Sequence, residues 1–109
     1  MPTTSAPVVM PIRTVTATPA TATTDDFTLL VDTDTIAGAA AVTLPDPATV
    51  EGRMFVVKRL GAYDVTITPA DGLIEGAASL TLIADRQAVR VQSDGTNYNA
   101  IGQVAVSFS

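Results

Sequence analysis

The stretch VQSDGTNYNAIG, Val91–Gly102, decides how the chain is read. Apolar and polar residues alternate into Asp94-Gly95 and out again through Tyr98 and Ile101, the pattern of a β-hairpin whose turn sits at Asp-Gly. The same period of two runs outward from it. RQAVRVQS places Val89 and Val91 on one face, and DVTITP sets Val65 and Ile67 inward against Thr66 and Thr68. RMFVVKRL places Phe55 and Val57 on one side and Met54, Val56 and Leu60 on the other. FTLLVD and AAVTL add Phe27, Leu29, Val31, Val42 and Leu44 to the inward set, SLTLI supplies another short strand, and Val104–Phe108 reads as a last one. Only Pro47–Gly52 has the look of a helical turn. Short strands punctuated by turns predict an all-β fold, a small antiparallel β-sandwich or barrel-like knob.

Residues 1–24 differ in composition from the rest of the chain. They hold four of the seven prolines and eight of the seventeen threonines, no glycine, and one charge, Arg13. Proline fixes φ and removes ladder donors, which predicts an extended segment. Val8, Val9, Met10, Ile12 and Val15 make it adhesive. The expected organisation is therefore an extended arm over 1–24, with a reach of at most about 80 Å, and a β-knob over 25–109. The arm is expected to order on a partner by strand addition.

Composition narrows the chemistry. An apolar content of 47% in 109 residues suits one folded unit. The chain has no histidine and no cysteine, which excludes a Ser-His nucleophile, a thiolate or imidazole metal site and a disulfide framework. A net charge of -5 disfavours nucleic acid as a partner. The longest apolar run, Ile36–Val42, is far too short for a membrane span. The N-terminus has no basic start followed by an apolar core, so synthesis in the cytoplasm is expected. Asp32 and Asp34 in DTDTIAG open like a calcium loop, but Ile36 stands where a third ligand belongs and no Glu closes it. Carboxylates solvated at a strand end are the better reading. Asp71 and Glu75 suit turns better than a glycosidase pair, given the absence of tryptophan. No cofactor and no enzymatic activity are expected.

Large side chains are scarce, with phenylalanine only at 27, 55 and 108. Leu30, Met54, Val56 and Ile83 fall on faces that should meet solvent. A thin sheet that is apolar on both sides asks for cover by other chains, which predicts a homo-oligomer.

Five segments, taken in order, extend the reading: Thr43-Leu44-Pro45, Gly52–Arg59, Val65–Pro69, Ile74–Leu82 and Val89–Tyr98. Over Asp25–Gly102 this series resembles a small β-domain that recurs in structural proteins of tailed bacteriophages: tail fibres and spikes, head fibres and capsid decoration proteins, typically trimers. The resemblance implies a virion structural role. One β-unit after a short arm, without repeats or coiled-coil heptads, fits a decoration (cement) protein on the capsid surface better than a fibre. The expected partners are itself, as a homotrimer, and the major capsid protein. Val8, Val9, Met10 and Ile12 are the expected capsid-binding arm residues, and Val104, Val106 and Phe108 the expected subunit contacts. The alternative is a tail or head fibre tip in which Tyr63, Asn97 and Tyr98, on exposed loops, bind a host receptor or surface glycan.

Overall fold

Over its first half the chain winds between two sheets, laying alternate strands in each. The computed structural model describes residues 10–104, the last of these by its backbone alone. In one sheet β1 (Ile12–Val15), β3 (Thr28–Asp32) and β5 (Met54–Leu60) lie side by side. In the other lie β2 (Ala20–Thr21), β4 (Ala40–Leu44) and β6 (Val65–Pro69). Neighbours within each set are parallel, so the first half of the molecule is a three-turn coil. The second half reverses: β7 (Leu80–Leu82) adds antiparallel to β6, β8 (Ala88–Ser93) antiparallel to β5, and β9 (Tyr98–Val104) antiparallel to β8. The result is a five-stranded sheet, β1-β3-β5-β8-β9, over a four-stranded one, β2-β4-β6-β7.

The all-β expectation therefore holds, while the antiparallel arrangement is corrected: both sheets are mixed. Strand alternation carries no information about strand direction. What imposes parallel neighbours here is that the links between successive strands cross from one sheet to the other. The link Gly61–Asp64, for instance, leaves β5 in the five-stranded sheet and enters β6 in the four-stranded one.

The hydrophobic core fills the space between the sheets. Leu29, Val31, Phe55, Val57, Val91 and Tyr98 from one side meet Leu44, Val65, Ile67 and Leu82 from the other, all without solvent exposure. The inward residues read from the period of two are thus in place, apart from the half-buried Phe27. Arg59 occupies the same inward column as Val15 and Val31 and is nearly buried. Its guanidinium closes one end of the core, donating to the carbonyls of Gly61 (3.0 Å) and Leu82 (3.3 Å) and to Asp64 (3.1 Å). These acceptors satisfy a charge that burial would otherwise penalise.

Residues 12–22, assigned from sequence to the arm, supply the first strand of each sheet. Val15, Ala20 and Ala22 are buried in the common core. The segment is extended, as its prolines dictate, and among the described residues it pairs with the chain's own β3 and β4. Arg13 clamps it by a bidentate pair to the nearly buried Asp26 (3.1 and 3.0 Å).

Two short helical turns cap the coil. The expected one is a 3-10 turn, Pro47–Thr49, with Asp46 accepting from the Ala48 amide (3.0 Å) and proline in its first turn. The other, α1 (Thr33–Ile36), lies within DTDTIAG. Asp32 is its N-cap, accepting from the Thr35 amide (3.1 Å) and hydroxyl (2.7 Å), and these bonds hold its carboxyl below the ordinary range. Asp34 accepts from the Ala62 amide (3.1 Å). Both carboxylates thus serve turn geometry.

Candidate interaction surface

The two outward faces differ in chemistry. On the four-stranded sheet the outward rows are Thr21, Thr43 and Thr68, then Ala41, Thr66 and Thr81. The hydroxyls of Thr66 and Thr81 lie 3.4 Å apart. Such a face is readily hydrated.

On the five-stranded sheet, one outward row runs Ile12, Thr28, Val56, Arg90, Gly102 and the next Thr14, Leu30, Lys58, Ala88. Met54 and Gln92 begin a third. Leu30, Met54, Val56 and Ala88 are half-buried, and Ile12 is 65% exposed. Lys58 and Arg90 form no ion pair among the described residues, whereas Arg13 and Arg59 do. Arg53 is drawn to the carbonyls of Thr24 and Asp26 (2.8 Å to the latter) and stacks 5.6 Å from the Phe55 ring centroid. A carboxylate on this face, Asp32, stands in the row of Leu60 and is engaged by Thr35.

Two hollows mark the same face. One, of about 390 Å³, is lined by Val56, Ala88, Val89, Arg90, Gly102 and Gln103. Its floor is open because Gly102 has no side chain, and the Arg90 guanidinium lies over the glycine. The other, of about 520 Å³, lies at the end where β1 and β5 begin and brings Met10 together with Phe27, Arg53 and Met54.

The expected site residues are distributed as follows. Met10, 49% exposed, lines the larger hollow, and Ile12 stands on the outward face. Val8, Val9, Val106 and Phe108 lie outside the described residues. Val104 pairs with Ala88 at the end of β9. The ligand-loop trio is not assembled. Tyr98 is fully buried, its ring edge-to-face with Phe55 (6.2 Å) and its hydroxyl donating to the Pro45 carbonyl (2.6 Å). Burial and the nearby Asp46 push its phenol up to about 12. This corrects the expectation of an exposed ring: Tyr98 enters β9 in register with Ser93, on the inward side. Tyr63 follows the C-terminal end of β5, where its amide donates to the Thr33 hydroxyl (3.2 Å). Asn97 sits at the opposite end, accepting from the Leu73 amide (2.8 Å). The length of β5, roughly 20 Å, separates them.

Sequence reasoning passed over Lys58 and Arg90 as a pair. Both fall on outward positions of strands whose neighbouring outward positions are apolar, and that coincidence was the available signal. Comparison with protein-family models and with curated proteins gives no match to this chain.

Proposed function

We propose that this protein is a bacteriophage virion structural protein, a capsid decoration (cement) protein that acts as a homotrimer on the head shell. The observation that carries the reading is the contrast between the two outward faces. One is an array of threonine hydroxyls; the other carries the exposed Ile12 and the half-buried Leu30, Met54 and Val56 around two cations without ion-pair partners among the described residues. Apolar surface grouped on one side of a small domain marks a place where another protein sits. The ordered series from Thr43-Leu44-Pro45 to Val89–Tyr98 supports the phage assignment through its resemblance to virion β-domains.

A decoration protein stabilises its shell by linkage, because a ligand that binds only the assembled state shifts the equilibrium toward assembly. The test is to add the purified protein to shells stripped of it. Saturable binding at many copies per particle, with a higher shell disruption temperature, is the expected result. A copy number of only a few per particle, confined to the tail, would replace this reading with the fibre-tip one.

A further inference from the structure

Five residues on the outward face of the five-stranded sheet, Leu30, Met54, Val56, Lys58 and Arg90, form an apolar strip bearing two cations without ion-pair partners among the described residues. Four of the eleven acidic residues gather at one end of the molecule, while Asp34, Asp64 and Asp85 lie at the other, bonded around the link that follows β5. Asp46, Glu51, Asp71 and Asp94 stand on three loops that meet at the end where β5 begins. The Ser93 hydroxyl reaches the Pro47 carbonyl there (2.7 Å), Gly72 abuts Thr96, and the Glu51 carboxyl lies beside Gly95. Glu51 and Asp71 are exposed and make no side-chain hydrogen bond among the described residues.

We propose that the outward face of the five-stranded sheet in one copy receives the acidic loop end of a neighbouring copy, Lys58 and Arg90 meeting Glu51 and Asp71. The inference rests on the homo-oligomeric reading above and specifies its contact. Charge complementarity selects this occupant over the same face of a second copy. Two such faces packed about a two-fold axis would set the cations of one against those of the other, and among the described outward rows the carboxylate, Asp32, is already engaged by Thr35. A contact between two different patches is heterologous, and a heterologous contact that closes on itself gives a ring with any number of members, three included. The apolar residues supply the buried area and the charges set orientation and register.

The test uses the full chain and its mass in solution, by light scattering or sedimentation, with circular dichroism and melting to confirm folding. Lys58→Glu/Arg90→Glu is expected to lower the mass to that of one chain, a roughly threefold drop from a trimer. Glu51→Lys/Asp71→Lys is expected to do the same. Equal amounts of the two variants mixed together are expected to recover a larger species, because each retains the patch the other lacks. The neutral pair Lys58→Gln/Arg90→Gln provides a milder substitution should the reversal unfold the chain, and is expected to weaken association.

Wild-type mass retained by both sheet-face variants would overturn the proposed contact and leave the oligomer standing. Dissociation of both reversed variants without recovery on mixing would overturn the pairing with the acidic end. If the sheet-face variants keep their mass but lose binding to purified shells, the face belongs to the shell and self-docking is wrong. A wild-type chain that stays single at high concentration would remove the homo-oligomeric reading itself, and this inference with it.

Discussion

The Tyr98 hydroxyl donates to the Pro45 carbonyl at 2.6 Å, tying the hairpin of the five-stranded sheet to the proline-bounded turn that ends β4 in the other sheet. The bond crosses the core, and it joins two segments that the sequence shows only as separate turn signals.

Tyr98→Phe should therefore cost about 1 kcal/mol, since the ring stays packed while a half-buried carbonyl loses its donor. Tyr98→Ala should cost about 3–5 kcal/mol through the cavity it leaves. The folded phenol titrates near 12, above its unfolded value of about 10. The native state thus holds this proton where the unfolded chain has released it, and stability falls as pH rises from about 10 through 12. Urea denaturation across that range should show a steeper loss for the wild type than for Tyr98→Phe. Equal slopes would mean that the phenol is not buried.

The Arg13–Asp26 pair predicts an acid-side effect. Burial works against the charge on Asp26, but hydrogen bonds from Arg13 and the Thr23 amide outweigh it and hold the carboxyl below its ordinary value. A depressed carboxyl contributes stability that is complete above the unfolded pKa of about 3.9 and is lost as pH falls through the folded value. Arg13 is 45% exposed along its side chain, so solvent screens the pair and about 1 kcal/mol is the expected size. Asp26→Asn should be less stable than wild type at pH 6, with the gap narrowing at pH 3. A gap independent of pH would assign the effect to packing.

Two glycines of the same backbone conformation should respond differently to alanine. Gly72 (φ 74°) and Gly76 (φ 76°) both occupy the left-handed region. A Cβ on Gly72 would strike the Thr96 carbonyl oxygen, whereas one on Gly76 meets nothing within 4 Å. Gly76→Ala should cost about 1 kcal/mol of backbone strain alone, and Gly72→Ala clearly more. Thermal melts of the two single variants decide it, and matching melting temperatures would show that the 70–73 loop yields freely.

The inward pairs Leu29/Val31, Phe55/Val57, Val65/Ile67 and Val89/Val91 were legible because burial between two sheets imposes alternation directly on the residues. Strand partners and directions were not. The period of two is the same for parallel and antiparallel neighbours, and only the links reveal that successive strands change sheets. The stretch at 12–22 looked like an arm because its prolines and threonines hide two strands of four and two residues. Its buried anchors, Val15, Ala20 and Ala22, are small and widely spaced. In DTDTIAG the Asp32-x-x-Thr35 spacing was the N-cap signal, masked by resemblance to a cation loop. Arg59 escaped notice because a charge in an inward column reads as a register slip until its carbonyl acceptors, Gly61 in the link after β5 and Leu82 on β7, are known. For the interaction surface, Leu30, Met54 and Val56 were recognised as outward and apolar, and Ile12 only as an adhesive residue of the arm. Their grouping with Lys58 and Arg90 depended on the parallel register, which alternation does not encode.

The parallel winding ends where the chain reverses after β6. On the later side the strands added after β6 run reversed, with β9 and β7 as sheet edges, while among the described residues β1 and β2 are the parallel edges of the first turn. Lengthening of the molecule by tandem duplication of a parallel winding is therefore simplest on the side of β1 and β2. An added winding before Ile12 would find a ready template and disturb no later residue, whereas one inserted after β6 would have to displace the reversed strands. A family built on this plan would vary in length at its amino-terminal side and keep its hairpin constant.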